Sequence, residues 1–582
     1  MPSVHAIKSC GVAALLTALS GTALAAQLPN RVAAGDTTQT STVLWGRAAV
    51  PGNFTFELST DQNFSSTLLT HNDPVVDPTL PLKLPVTGLN PGTQYYYRAT
   101  DAAGNTSTGR FKTNRAAGFN GARFGVSGDW RGELAPYPGI RNAPGRDLDA
   151  FIALGDTVYA DVSSPAVPAP QATTLAEFRA KHNEVYSERF GLNTLGDLRS
   201  STSVISIIDD HEVTNDFSGG AHPASDPRFS GQPGNFINET PLFNTGIQAF
   251  EEYNPLNPER YANTGVDPRM DGKVKLGRTR TYGKDAMIAT LDTRTFRDQG
   301  LPAANPLDPA SVTNYLVQSF NPTRTLLGGR QLADVKSDLL NAQASGTTWK
   351  FVMVPEPIQN LGVLNASDRF EGYAAERADL LRFIDQNDIQ NVVFVAADIH
   401  GTLVNNLTYQ NGPGQSQISS GAWEITTGSL AYDAPFGPTV AGIAANLGVP
   451  GAIPLGVYNS LPVAQREAYI QGLINAQITP LGYDPLGLQG SGIPATLLQG
   501  GYTATNTYGW TEFDIDPLTQ ALTVTTYGIP YYTEADLLAN PSLIAGLQPQ
   551  IVSQFVVQAV PAPGAAGLLA LAGFVAARRR RN

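Results

Sequence analysis

Four short segments of the chain place carboxylates and imidazoles directly after apolar runs. Gly128-Asp129-Trp130 follows residues 124–127, and Gly155-Asp156-Thr157-Val158-Tyr159-Ala160-Asp161 follows residues 151–154. Asp209-Asp210-His211-Glu212-Val213-Thr214-Asn215-Asp216 follows residues 204–208, and Asp398-Ile399-His400 follows residues 391–396. One Gly-Asp at a strand end is explained as well by a turn or a helix cap as by a ligand. Four acidic or acidic-histidine signatures after four apolar runs are not, and they hold two of the six histidines in the chain. Oxygen donors with imidazole and no thiolate suit iron, manganese, zinc, calcium or magnesium rather than copper(I) or an iron–sulfur cluster. Two cations side by side repel, so a carboxylate between them is the natural bridge, and Asp156 is the leading candidate. Such a pair can activate a water and neutralise phosphoryl oxygens during in-line displacement. A purely structural calcium site would not need the histidines.

These residues require a scaffold that ends several strands at one place, which α/β folds provide. The apolar runs 124–127, 151–154, 204–208, 350–354 and 391–396 predict buried strands. Residues 175–186, 330–342 and 374–386 predict helices between them, giving an α/β sheet sandwich over residues 120–545. Residues 432–509 are rich in Gly, Pro and Leu with a helical patch at 463–476, and suggest an insertion. Strands at 508–515 and 521–527 would then close the sheet. Before this part, residues 27–114 show short alternating stretches separated by Pro, Gly and Asn, the pattern of a small β-sandwich. No cluster of acids, bases or ligands appears there, so that unit is expected to support packing or to serve as a lid.

The two ends carry address-like features. Lys8, an apolar run over residues 11–19 and Ala23-Leu24-Ala25 form the layout of a cleavable export signal over residues 1–25. The single cysteine, Cys10, falls inside it, so the processed chain is expected to lack a thiol. At the other end, residues 560–582 run Val560-Pro561-Ala562-Pro563, then an apolar stretch over 565–577, then four arginines from Arg578 to Arg581. The stretch is shorter than the ~20 residues that span a bilayer comfortably, and the arginines fit a cytoplasmic stop. Among 582 residues, 42% are hydrophobic and 15% charged, which excludes a largely disordered protein. A net charge of −12 argues against a general nucleic-acid binder.

The Asp209–Asn215 motif, together with Gly155-Asp156-Thr157-Val158-Tyr159, resembles the PhoD family of alkaline phosphatases and phosphodiesterases. Further matches are Leu291-Asp292-Thr293-Arg294-Thr295-Phe296-Arg297, Leu327-Gly328-Gly329-Arg330-Gln331, Trp349-Lys350 and Gly372-Tyr373-Ala374-Ala375-Glu376-Arg377. Val32-Ala33-Ala34-Gly35-Asp36 and Val43-Leu44-Trp45 are similar to the N-terminal β-domain of that family, and residues 89–97 resemble a fibronectin-type module. The Pro motif, apolar run and basic end together resemble a PEP-CTERM sorting tail. That likeness implies a Gram-negative periplasmic, surface or extracellular location, transient membrane contact, export and sorting machinery as partners, and removal of the tail.

The family resemblance implies a calcineurin-like metallophosphoesterase sheet sandwich that uses ferric iron with calcium, although zinc or manganese also suits the donors. Carried over by position, Asp156 would bridge the metals and Tyr159 would bind iron through its phenolate. Asn215, Asp398 and His400 would complete the metal shells. Asp210 and His211 occupy the place of the Asn-His pair of related enzymes, where the histidine assists the phosphate oxygens or the leaving group. The chain departs from the family at Asp129, where a cysteine is usual; Gly128-Asp129-Trp130 resembles purple acid phosphatases, in which this aspartate is a ligand. Ala397 stands where glycine is common. Arg131 is a candidate phosphate clamp or a surface arginine. Glu212 is expected to support its neighbours, and Arg294 and Arg297 to form a buried salt bridge or touch substrate. His182 and His222 lack a motif, which predicts loop or surface roles. The implied function is an exported phosphomonoesterase or phosphodiesterase. The alternatives are a phospholipase-D-like diesterase, or a non-catalytic surface protein with a relict metal site.

Overall fold

The computed structural model describes residues 26–362 and 366–561; the export-signal stretch and the tail from residue 562 lie outside the described residues. Seven strands come first: β1 (Val32–Gly35), β2 (Ser41–Gly46), β3 (Gly52–Ser59), β4 (Leu69–Val75), β5 (Leu82–Thr87), β6 (Gln94–Thr100) and β7 (Thr106–Lys112). β6 buries every second residue, which puts Tyr95, Tyr97 and Ala99 on one face with Phe54, Phe56 and Phe111. An antiparallel sheet of order β4-β3-β6-β7 results, packed on β1, β2 and β5. The unit is not detached from the α/β part, because β1 also pairs in parallel with that part's β10 (Ser203–Ile207).

The α/β part opens with β8 (Ala122–Trp130) and β9 (Ala150–Leu154), which lie parallel to one another and, through β9, to β10. Next come β11 (Arg278–Tyr282), β12 (Ala286–Thr290), β13 (Trp349–Met353), β14 (Val392–Ala396), β15 (Thr402–Tyr409), β16 (Ile418–Thr426) and β17 (Ser429–Ala431). The chain finishes with β18 (Ala495–Gly500), β19 (Thr503–Ala504), β20 (Thr507–Ile515), β21 (Leu522–Pro530) and β22 (Gln550–Val557). One large sheet has the order β18-β22-β21-β20-β8-β9-β10-β1-β2-β5, with β17 added beside β8. The other has the order β11-β12-β13-β14-β16-β15-β19.

The two sheets pack face to face. Phe124, Ile152 and Ile207 of the first meet Phe351, Val393 and Val395 of the second in one buried cluster. Phe124 and Phe351 cross edge to face with ring centres 4.7 Å apart. Strands buried on both sides explain the unbroken apolar runs, since helices cover the outer faces. On the first sheet these are α1 (Leu175–Val185) and α2 (Thr194–Ser201), with α3 (Pro241–Tyr253) packed on α1. α4 (Pro309–Ser319) precedes α5 (Gly329–Ala344) and α6 (Ala374–Gln386), and the last two cover the second sheet through Val335, Leu339, Leu380 and Ile384. The result is the expected α/β sheet sandwich flanked by helices.

Two findings refine the sequence reading. The stretch 432–509 divides into a helical insert, α7 (Phe436–Leu447), α8 (Leu455–Ser460) and α9 (Val463–Ile478), followed by strands that rejoin both sheets. His182 is neither in a loop nor at the surface. It lies wholly buried in α1, stacked on Tyr253 with ring centres 5.5 Å apart, and burial pushes its pKa down to about 3. No described helix is long and apolar enough to cross a membrane.

Candidate metal centre

The predicted residues gather where strands of both sheets end. Asp129 is the penultimate residue of β8, Asp156 follows β9, Asp210 and His211 follow β10, and Asp398 and His400 follow β14. Asp129, Asp156, Asp398 and His400 hold φ values of 61°, 50°, 62° and 60°. Such left-handed backbone at non-glycine residues costs on the order of 1–3 kcal/mol each and collects at functional sites. The glycine before Asp156 has a separate reason. A Cβ on Gly155 would sit 2.6 Å from the Cβ of Asp209, so only glycine lets the β9 and β10 loops approach this closely.

Ligand atoms of Asp129, Asp156 and His400 lie within 4.8 Å of one another, and so do those of Asp156, Asp210 and His211. Asp156 therefore belongs to both groups. A third group joins Asp210 to Asp216 and Asp368. Both carboxylate oxygens of Asp129 and the Oδ1 of Asp210 are buried without a hydrogen-bond partner, an expensive state unless cations fill it. Burial, reinforced by the charges of Asp210, Asp209 and Asp129, pushes the Asp156 carboxyl well above the usual carboxylate range. Orphaned oxygens, mutual repulsion and imidazoles at ligand spacing fit a pair of bound cations.

The remaining predicted residues fall at different distances from this centre. Tyr159 is buried, with its hydroxyl 3.4 Å from His400 Nε2 and its ring centre 4.2 Å from that of His211. Asn215 sits at the exposed rim, where its backbone N–H donates to Asp161 Oδ2 at 2.7 Å. Asp398 stands outside the three groups; its carboxyl is raised by burial first and then by Asp368. Arg131 is paired with Glu133, and its guanidinium lies 5.4 Å over the ring of Tyr432. Its guanidinium therefore has partners within the protein.

Asp161, Glu356 and Asp368 were not assigned from the sequence, whereas Glu212, Arg294 and Arg297 were expected as supports. Asp161 takes a 2.6 Å hydrogen bond with His211 Nδ1; it lies five residues beyond Asp156, inside a motif already visible. Burial alone would lower the pKa of His211, but the carboxylates of Asp210 and Asp161 prevail and bring it up to about 9. Glu212 ties two loops together, since it accepts from Thr157 N at 2.6 Å and from Asp209 N at 2.9 Å. Behind the site, the buried Arg294 pairs with the buried Asp209 at 2.6 Å and Glu356 at 2.8 Å, and with the partly exposed Asp368 at 2.6 Å. Arg297 pairs with Glu356 and Asp368. Of the two readings of these arginines, the buried ion-pair network is the one realised.

The chain resembles proteins already known. It is 26% identical over 419 residues to alkaline phosphatase D of Bacillus subtilis (strain 168), covering 65% of each chain, so it spans just under two thirds of that relative. A solved structure described as that of PhoD superposes with a TM-score of 0.64 at 20% identity, covering 91% of both chains, which shows a shared fold. Residues 16–115 match the PhoD-like phosphatase N-terminal domain, and residues 124–446, more than half the chain, match the PhoD-like phosphatase domain. The chain belongs to the PhoD-like phosphatase family.

Proposed function

We propose that this protein is an exported, metal-dependent phosphoesterase that hydrolyses phosphomonoesters, phosphodiesters or both. The observation that carries the proposal is the place of Asp156 in two adjoining ligand groups beside orphaned carboxylate oxygens. Asp129, Asp156, Tyr159 and His400 would hold one cation, ferric iron by family resemblance. Asp156 and Asp210, with Asn215 and Asp398 at the margin, would hold the other, calcium by the same resemblance. Bound there, the cations supply Lewis acidity toward phosphoryl oxygens and lower the pKa of water. The chain itself fixes a proton at His211. Its Nδ1 is held by Asp161, leaving Nε2, 3.9 Å from both Asp156 and Asp210, to donate to a phosphoryl or leaving-group oxygen. The export and sorting features support processing near Ala25 and at the tail, and N-terminal sequencing of the secreted protein tests the first of these.

Metal-replete protein should hydrolyse p-nitrophenyl phosphate or its bis-ester, and the ratio of the two rates fixes the preference. Absence of both activities from protein with its full metal content would refute the proposal. A phenolate on ferric iron absorbs visible light, so the protein should be coloured and Tyr159→Phe should bleach or shift the band. A colourless, active, iron-free protein would exclude iron.

The Asp161–His211 pair also sets a pH limit. The protonated imidazole is the donor, so activity should fall as pH rises through the pKa of His211. Asp161 holds that pKa up, so Asp161→Asn should move the alkaline limb of kcat/KM downward by about one pH unit or more. An unmoved limb would separate His211 from that titration.

A further inference from the structure

The site contains two imidazoles, and they are oriented by different means. His211 is fixed by a carboxylate, Asp161. His400 presents Nε2 toward Asp129 Oδ1 and the Tyr159 hydroxyl, each 3.4 Å away, whereas among the described residues no hydrogen bond reaches its Nδ1. Metal-ligating histidines usually donate that second nitrogen to a carboxylate or carbonyl, which locks the ring. Here a ring face takes that place. The imidazole of His400 is stacked on Tyr432 with ring centres 3.5 Å apart and planes 13° from parallel.

The backbone holds Tyr432 firmly in this position. β17 runs parallel to β8, pairing Ser429 with Gly128 and Ala431 with Trp130, and Arg131 N–H donates to Ala431 O at 3.0 Å. Tyr432 is the next residue, so it is delivered beside Asp129. Four residues later, Phe436 N–H donates to His400 O at 2.9 Å. The segment 432–436 is therefore tied at one end to the loop that carries Asp129 and at the other to the residue it stacks upon. The Arg131 guanidinium over the Tyr432 ring adds a third restraint.

Resting on the reading of this site as a metal centre, we propose that Tyr432 is a positioning residue that holds the His400 ring in its ligand orientation by stacking, and so slows escape of the cation bound between Asp129, Asp156 and His400. The hydroxyl of Tyr432 is not needed for this; the ring is.

The test is metal release from the full, metal-loaded chain into excess EDTA, followed by elemental analysis of the desalted protein over time. Tyr432→Leu should release one cation about 10–100-fold faster than the parent, the scale on which partners of metal ligands act. Tyr432→Phe should stay within about threefold of the parent, because it keeps the ring. If the Leu variant does not fold, Tyr432→Met also lacks the ring and decides the question. Release from Leu or Met at the parental rate would overturn the proposal, and so would release from Phe as fast as from Leu, which would move the role to the hydroxyl. This readout does not depend on phosphate-ester hydrolysis. A parent protein that retains no cation at all would refute the metal centre itself, a different result from an unaltered variant.

Discussion

Asp156→Ala is expected to empty both cation positions at once and to lower turnover by about 10³-fold or more. Its carboxylate lies within ligand distance of Asp129 and His400 on one side and of Asp210 and His211 on the other, so no single neighbour can replace it. Cations at such sites contribute several kcal/mol of transition-state stabilisation, and each 1.36 kcal/mol is about tenfold in rate. Elemental analysis should find neither cation, while an Asp210→Ala protein should keep the one held by Asp129 and His400. Two cations per chain in Asp156→Ala would contradict the bridging role. The metal-free forms should show the opposite order of stability. Asp156 is buried among like charges that raise its pKa, so alanine relieves repulsion, and the apo variant should melt at or above apo wild type.

Arg294→Met is expected to cost about 3–5 kcal/mol of stability, the scale of leaving buried charges without a partner. The guanidinium is fully buried and compensates Asp209, Glu356 and Asp368, with Asp210 3.7 Å away. Burial alone would raise the pKa of Asp368, but Arg294 and Arg297 overcome it and hold the carboxyl below its usual value. A depressed folded pKa contributes stability above the unfolded value, and that contribution is lost as pH falls through the folded one. Without Arg294 these acids gain stability by taking up protons, so the deficit of the variant should be largest at neutral and alkaline pH and shrink toward pH 5. Urea unfolding of both proteins at several pH values measures it. An equal loss at every pH would point to lost packing rather than lost charge.

The site was legible in the sequence to the extent that its chemistry is local. Asp129, Asp156, His211 and His400 each follow an apolar run within a few residues, because strand ends position them, and Gly155 marks a close approach that only glycine permits. Asp161 was in view but shared its motif with stronger candidates. Asp368 and Tyr432 carried no such signal. Asp368 reaches the site because Arg294 and Arg297 hold it, and Tyr432 because β17 pairs with β8, both contacts between distant parts of the chain. His182 was misplaced for the same reason. Its helix has little amphipathic contrast, and the ring is buried by Tyr253 of α3 together with Phe250. The helical layers followed from period and apolar content, whereas the joining of the N-terminal unit to the main sheet depends on Ala34 meeting Ser203, which no local pattern records.

The position of β8 in its sheet also sets a timetable. The strand that bears Asp129 pairs with β9, and it also pairs with β17, where Gly128 meets Ser429, and with β20, where Val126 meets Thr511. While the chain is being made, residues 122–126 of β8 keep an open edge until residues 507–515 appear, and β20 in turn needs β21 and β22 beside it. Pairings this distant in sequence are slow to form, and an unpaired apolar edge invites pairing with other chains. The sheet behind the Asp129 loop is therefore completed only after residues 507–557 have been made, and a fragment that stops before them exposes an apolar edge open to aggregation.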